Sequence, residues 1–194
     1  MAKPAKFDRQ DVINKATNLY WKKGFHATSM RNLQDVIDMR PGSIYAAFGN
    51  KDGLFLEVLK NYTDMGISAL ADCRAENSSP IAALKAFVIM QVVDTQKDAP
   101  NGMCMLAKTV GELTDEHQEL LTTARSSLLR IEQAFVSLIE EAQSLGEISQ
   151  DKDAKRLASH VMIQINGLRT YATANNGNAS LNDLINDMFT QYPF

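Results

Sequence analysis

The sequence predicts an all-α protein of about nine helices. Apolar residues recur every three to four positions through most of the 194-residue chain, which is the spacing of one helix face. Strand-like alternation is scarce, and the turn-forming pairs do not join β-branched runs: Asp52-Gly53 precedes a helical pattern, and Asn176-Gly177 lies between two. A composition of 45% hydrophobic and 22% charged residues is typical of a globular protein.

The first helix is predicted from about Asp8 to Lys23. Asp8 is a good N-cap because its carboxylate can accept hydrogen bonds from the first unpaired N–H groups. Lys22 and Lys23 suit the negative end of the helix dipole, and Gly24 can adopt the left-handed conformation that ends a helix. Five apolar residues share one face: Val12, Ile13, Ala16, Leu19 and Tyr20.

Two short helices follow, joined by a tight turn at residues 38–40. Thr28 is expected to cap the second helix. Pro41 suits the first position of the third helix because its missing N–H would be unpaired there, and Gly49 ends this helix after Phe48. The apolar residues of the second helix are Met30, Leu33, Val36 and Ile37.

The rest of the chain is predicted to be helical as well. Asn50 is expected to cap a fourth helix from Lys51 to about Arg74, and residues 76–80 form the next break. Further helices are expected at 81–97, 103–113, 116–145, 151–174 and 179–191, with breaks at 99–102, Gly146 and 175–178.

The helix predicted at 116–145 carries an apolar seam spaced alternately by four and three residues: Ala124, Leu128, Ile131, Phe135, Leu138, Ala142 and Leu145. Such a seam packs against another long helix. It fits a subunit interface and a stripe facing the chain's own core equally well. The interface candidates are Leu128, Ile131, Phe135 and Leu138, with Val161 and Leu168 of the next helix completing a four-helix contact between two copies.

Charge is distributed unevenly along the chain. Residues 1–60 hold ten Lys/Arg and six Asp/Glu, a net charge of +4, whereas the other 134 residues have a net charge of −7. A basic head on an acidic body suggests a polyanion partner for the head alone.

The second and third helices form a candidate helix-turn-helix. This motif needs a short helix fixed by apolar contacts, a small or polar face that enters a major groove, and donors for phosphates. The residues expected to pack inward are Leu33, Val36, Ile37, Ile44 and Phe48. Small outward surfaces come from Pro41, Gly42, Ser43, Ala46 and Ala47, and donors from Thr28, Ser43, Tyr45 and Lys51.

One set of residues makes this segment specific: Gly42-Ser43-Ile44-Tyr45, then Phe48, then Lys51 with Leu54 and Phe55, after Lys23-Gly24-Phe25 and Thr28-Ser29. With this set, residues 8–60 resemble the N-terminal domain of TetR family regulators. The resemblance implies a helix-turn-helix DNA-binding domain at 1–52 and a helical effector-binding and dimerisation domain at 53–194.

The resemblance also implies roles for single residues. Thr28, Ser43, Tyr45 and Lys51 would contact phosphates of double-stranded DNA. Arg40, Pro41, Gly42, Ala46 and Ala47 would form the base-facing surface, and Lys3 and Lys6 would follow the backbone or the minor groove. The implied function is a regulator, by default a repressor with activation left open, that binds palindromic operator DNA as a homodimer and is released by a small-molecule or redox signal.

Two positions depart from the family pattern. Ala46-Ala47 replaces a larger pair, so side-chain hydrogen bonds to bases must come from Arg40 or its neighbours unless DNA shape is read. Gly53 replaces a helix-forming, often acidic residue, which removes a possible reciprocal cap.

The effector would be an unknown small molecule. Methionine adapts to irregular shapes, so some of the nine methionines could line a cavity, although most are expected to fill the core. The candidate ligand-binding residues are Phe87, Met90, Met103, Cys104, Gln164 and Tyr171. Cys104 is either a sensor of oxidants or electrophiles or, as is commoner, a buried inert thiol.

Other classes of protein find little support in the sequence. No signal peptide or membrane span is expected, since the longest apolar region is interrupted by Gln91, and two cysteines make no disulfide framework; a cytoplasmic protein is predicted. The three histidines are dispersed, and no catalytic motif occurs, so no metal, cofactor or enzymatic activity is expected. The rivals are a helical small-molecule-binding protein whose basic head is incidental and, more distantly, an all-α enzyme.

Overall fold

A computed structural model describes residues 7–175, 180–190 and 193–194. In these residues the fold is all-α without a strand, which confirms the predicted class. The helices are α1 Arg9–Lys23, α2 Met30–Ile37, α3 Pro41–Phe48, α4 Lys51–Glu76, α5 Pro80–Ile89, α6 Thr95–Asp98, α7 Met105–Glu112, α8 Gln118–Ser144, α9 Ala154–Ala174 and α10 Leu181–Thr190. Lys3, Lys6 and most of the predicted break at 175–178 lie outside the described residues.

The predicted ends of the first four helices are nearly all confirmed. The carboxylate of Asp8 accepts from the N–H groups of Gln10 and Asp11 at 2.9 and 3.2 Å. Gly24, at φ 88°, ends α1. Asn50 Oδ1 accepts from the N–H of Gly53 at 2.7 Å and so caps the first turn of α4.

The cap of α2 is a correction. Ser29, not Thr28, is the N-cap: Ser29 Oγ accepts from the N–H of Asn32 at 3.1 Å, and Asn32 Oδ1 accepts from the N–H of Ser29 at 3.1 Å. This reciprocal pair is a capping box. The Thr28 side chain is buried, and its hydroxyl donates to the carbonyl of Gly24 at 2.7 Å.

The helix expected at 81–97 contains a feature that the periodicity did not reveal. Between α5 and α6, Met90–Asp94 forms a turn of π-helix, so one continuous helical run has a wider segment in its middle. Counted as one run, these pieces bring the described residues to nine helices, in agreement with the prediction. Such π segments are frequent at functional sites.

The chain forms two compact units. The first comprises the residues up to Tyr62 together with Met105–Ser127, and the second comprises Thr63–Cys104 and Leu128–Phe194. The predicted division at 52/53 therefore falls inside the continuous helix α4, and the sequence did not indicate that α7 and the start of α8 belong with the N-terminal helices.

The second unit is built around one apolar core, to which α4, α5, α8, α9 and α10 contribute. Four predicted dimer-interface residues lie in this core, Phe135, Leu138, Val161 and Leu168, each less than 10% exposed. Because the chain itself covers most of their surface, the core-facing interpretation of the seam applies to them. The other two, Leu128 and Ile131, are half-buried.

Candidate nucleic-acid interface

Helix α3 has one buried face and one exposed face. Ile44 and Phe48 are buried, as predicted, and Leu33 and Ile37 of α2 are buried as well. The residues exposed on and before α3 are Arg40, Pro41, Gly42, Ser43, Tyr45 and Ala46. One inward prediction is wrong: Val36 is 42% exposed, and the turn after α2 buries Met39 instead.

The exposed face has the chemistry of a DNA-reading surface. Ser43 and Tyr45 carry hydroxyls, and Arg40 carries a guanidinium that can donate to base edges or phosphates. No side chain of the described residues caps the N-terminus of α3. Pro41 has no N–H, and the N–H of Ser43 donates to the carbonyl of Arg40 at 2.9 Å, so the attraction of this end for an anion comes mainly from the helix dipole.

The other two predicted phosphate contacts, Thr28 and Lys51, are less exposed than Ser43 and Tyr45. The Thr28 hydroxyl is buried and bonded to Gly24, so this side chain is not available to a phosphate in this structure. Lys51 is half-buried: Nζ donates to the carbonyl of Phe25 at 2.7 Å and lies 4.1 Å from the centre of its ring. Burial lowers the pKa of Lys51. Lys51 thus supports the turn that precedes α2, and a phosphate contact by its other donors stays a prediction.

Arg9 fixes the far end of α3, a role that the sequence did not indicate. Nη1 donates to the carbonyl of Ala47 at 3.2 Å, the guanidinium lies 4.4 Å from the ring centre of Phe48, and Nη2 pairs with Glu57. One side chain of α1 therefore joins the end of α3 to α4. The partners are 38 to 48 positions away, so no local spacing could have pointed to them.

The turn between α1 and α2, residues 24–29, is bound by residues far along the chain. The carboxylate of Glu112 accepts from the N–H of Phe25 at 3.1 Å and from the N–H of His26 at 2.7 Å. The rings of Phe25 and His117 lie 4.8 Å apart, and His117 Nδ1 lies 3.5 Å from Asp52 Oδ2. The spacing of His26 and His117 in the sequence did not indicate these contacts.

Gly53 also has a steric role, which the sequence did not indicate. A Cβ at this position would lie 2.0 Å from the carbonyl oxygen of Phe48, the last residue of α3. Only glycine allows the end of α3 to approach the first turn of α4 so closely.

The predicted ligand-binding residues all lie in the second unit. Phe87 is buried in the apolar core, Met90 lies in the π turn, and Tyr171 is 50% exposed. Met103, Cys104 and Gln164 are partly buried. A pocket that joins them stays a prediction.

A buried arginine was missed in the same unit. Arg169 is 2% exposed; its Nε donates to the carbonyl of Gly102 at 2.6 Å, and Nη1 lies 3.3 Å from Gln91 Oε1 in the π turn. It therefore ties the loop before Met103 and Cys104 to the π turn.

Two findings concern other kinds of site. In residues 7–175, 180–190 and 193–194, no three His, Cys, Asp or Glu side chains are grouped so that they could hold a metal ion. No helix within these ranges combines the length and the apolar character that crossing a membrane requires.

Comparison with known proteins agrees with the arrangement of α1 to α4. The family model described as bacterial regulatory proteins, tetR family, matches residues 12–58, and that of the tetracyclin repressor-like C-terminal domain matches residues 80–188. The HTH-type transcriptional repressor ComR of Escherichia coli (strain K12) is 30% identical over 168 residues, which are 86% of this chain and 80% of that protein.

Solved structures share the fold at lower identity. A cysteine mutant of the TetR family regulator CifR, complexed with 26-bp double-strand operator DNA, has a TM-score of 0.86 at 22% identity, covering 98% of this chain and 100% of CifR. FadR from Bacillus subtilis, in complex with stearoyl-CoA, has a TM-score of 0.74 at 18% identity, covering 94% and 96%.

Proposed function

The chain belongs to the TetR family of bacterial regulatory proteins and has the family's helix-turn-helix. We propose that two copies of the chain bind a palindromic operator. We propose further that they repress transcription until an effector releases them. The observation that carries the proposal is the way in which α3 is exposed. Its small and hydroxyl-bearing face is exposed, while Ile44 and Phe48 anchor the opposite face. A helix presented in this way fits a major groove.

The residues on and around α3 have individual proposed roles at the DNA. Ser43 and Tyr45 donate their hydroxyls to phosphates, and Lys51 contacts a phosphate through the ammonium donors that do not bond Phe25. Arg40 reads base edges, while Pro41, Gly42, Ala46 and Ala47 allow the helix backbone to approach them, with Ala46 able to contact a thymine methyl. With so few side-chain donors, part of the specificity comes from DNA shape.

Dimerisation is proposed through the outer faces of α8 and α9. A palindromic operator needs two heads spaced by one helical turn of DNA, which a symmetric dimer provides. Large apolar side chains are exposed on these helices: Leu129 is 64% exposed, Ile163 68% and Tyr171 50%. They replace the buried residues of the seam as candidates, beside the half-buried Leu128 and Ile131.

The dimer can be tested by placing a charge on this face. Ile163→Arg is expected to shift the protein from dimer to monomer in sedimentation velocity, since an unpaired guanidinium would be buried in the interface. Leu184→Arg, on α10, is the matched control and should leave the dimer intact. A dimer unaffected by Ile163→Arg would argue against this interface.

Release by an effector is proposed to act on the second unit. FadR in its complex with stearoyl-CoA is a structural neighbour that holds a small molecule, so a small-molecule signal is the first choice. A redox signal at Cys104 is the second. Operator release by mild oxidant should then be lost in Cys104→Ser, and an identical response of the two proteins would remove the redox variant of the proposal.

DNA binding itself is tested by selecting duplexes with the purified protein and measuring affinity at several salt concentrations. Lys51→Ala is expected to weaken binding to all duplexes and to lower the salt slope by about one unit per half-site if its ammonium meets a phosphate. An unchanged slope would restrict Lys51 to supporting the turn. No preference for any duplex over random DNA would overturn the proposed function.

A further inference from the structure

The carboxylate of Glu112 occupies a site that fits it closely. Glu112 is the last residue of α7, and its two oxygens accept separately from the consecutive N–H groups of Phe25 and His26, at 3.1 and 2.7 Å. Successive N–H groups in a turn form a concave site for an anion, and hydrogen bonds to an ionised acceptor are among the stronger ones. A residue 86 positions away thus completes the turn that leads into the helix-turn-helix.

Gly24 leaves the space for this carboxylate. A Cβ at position 24 would lie 2.6 Å from Glu112 Oε2, and the backbone there has φ +88°, a conformation that side chains rarely adopt. Steric space and backbone conformation are independent features of the turn, and both suit the bound carboxylate.

Phe25 is held from two sides. Its N–H donates to Glu112 of α7, its carbonyl accepts from Lys51 Nζ of α4, and its ring stacks on Tyr20 and tilts against Phe55. The start of α2 follows within four residues, at the Ser29 cap. A change at the turn therefore reaches the first helix of the motif through a very short segment.

We propose that Glu112 is a positioning residue for operator binding, which sets the turn between α1 and α2 and with it the orientation of the helix-turn-helix. This inference rests on the proposed function. Glu112 adds negative charge to a head whose N-terminal segment is basic, which opposes DNA binding at long range. Glu112 favours DNA binding through the geometry that it gives the turn. This gain in affinity is larger for the operator, where α3 must fit base edges, than for random duplex, where phosphate attraction dominates.

The decisive experiment compares Glu112→Gln with Glu116→Gln. The first keeps the shape but leaves one oxygen for two N–H donors, and the second removes the same charge at an exposed position in the 3₁₀ turn after α7. Two probes are used: the palindrome that wild type selects from a random library, and a random duplex of equal length. Unfolding in urea is followed for each protein.

Glu112→Gln is expected to bind the selected palindrome about tenfold more weakly than Glu116→Gln, with equal affinities for random duplex and equal salt slopes. Equal affinities of both variants for the palindrome would overturn the inference. If Glu112→Gln does not fold, Glu112→Asp decides: its shorter carboxylate should lower the ratio of operator to random affinity, and an unchanged ratio would contradict the proposal. A wild type without any preferred duplex would instead refute the proposed function.

Discussion

The two compact units both bury apolar side chains, and they differ in how their functional parts are fixed. In the first, single polar contacts fix the DNA-reading helix and its approach: Arg9 to Ala47, Lys51 to Phe25, and Glu112 to the turn between α1 and α2. In the second, apolar side chains of five helices form one core, in which Phe135 is buried. Substitutions at these polar contacts should therefore lower operator affinity before they unfold the protein, whereas substitutions in the core of the second unit should lower stability first.

The largest expected effect tests the second unit. Phe135→Ala removes a ring that is 1% exposed and lies 5.7 Å from the ring of Phe87. Because a cavity is left, the free energy of unfolding should fall by about 3–5 kcal/mol, measured by urea denaturation. Leu184→Ala, at a 42% exposed position, should change it by less than about 0.5 kcal/mol. Similar losses in both variants would mean that this core is not the source of stability.

The next largest effect tests the close contact between α3 and α4 in the first unit. Gly53→Ala would place a methyl group 2.0 Å from the carbonyl oxygen of Phe48, which is backbone and cannot turn aside. We expect a loss of about 1–3 kcal/mol in unfolding free energy and a larger proportional loss of operator affinity, since α3 must shift. Gly111→Ala, where no atom lies within 4 Å of the added Cβ, should stabilise the protein by about 0.5–1 kcal/mol. A stabilised Gly53→Ala protein would contradict the close approach.

A smaller effect separates two tyrosines of the same unit. Tyr45 is 49% exposed, so Tyr45→Phe should weaken operator binding about fivefold without changing unfolding, by the loss of one hydrogen bond. Tyr20 is buried, its hydroxyl lies 3.5 Å from the carbonyl of Lys51, and burial raises its pKa. Tyr20→Phe should leave direct DNA contacts untouched. Equal operator affinities for the wild type and Tyr45→Phe would exclude the Tyr45 hydroxyl as a contact.

The smallest effect is a pH dependence in the second unit. Partial burial lowers the pKa of His160 from 6.5, because the charged ring is poorly solvated there. The unfolded chain then binds this proton more readily, so stability is lost as pH falls below 6.5 and is unaffected above it. Between about pH 7.5 and about pH 5.5 the wild type should lose less than about 1 kcal/mol more than His160→Gln. Parallel pH profiles would show that His160 is equally solvated in both states.

The sequence predicted the features that depend on neighbouring residues, such as the ends of helices and their buried faces. The bounds of α3 follow from Pro41 at its start and Gly49 after its end, and its buried face follows from Ile44 and Phe48. Where two neighbours have similar chemistry, as Thr28 and Ser29 have, only tertiary burial decides which one caps the helix.

Contacts over long separations were beyond the sequence. Glu112 and Arg9 lie 38 to 87 positions from the groups that they bind, so their roles depend on the folded arrangement. The seam of α8 was ambiguous for a related reason. A periodic apolar stripe predicts that a helix face is covered, and it carries no information on whether the cover is the same chain or a second copy.

The narrow gap between Gly53 and the Phe48 carbonyl makes the packing of α3 on the beginning of α4 depend on the residue at position 53. An engineer who wishes to exchange DNA specificity between relatives should accordingly transplant residues 40–54 as one cassette, glycine included. A graft of this reading helix alone, placed before a residue with a side chain at the position of Gly53, would not reproduce this close approach.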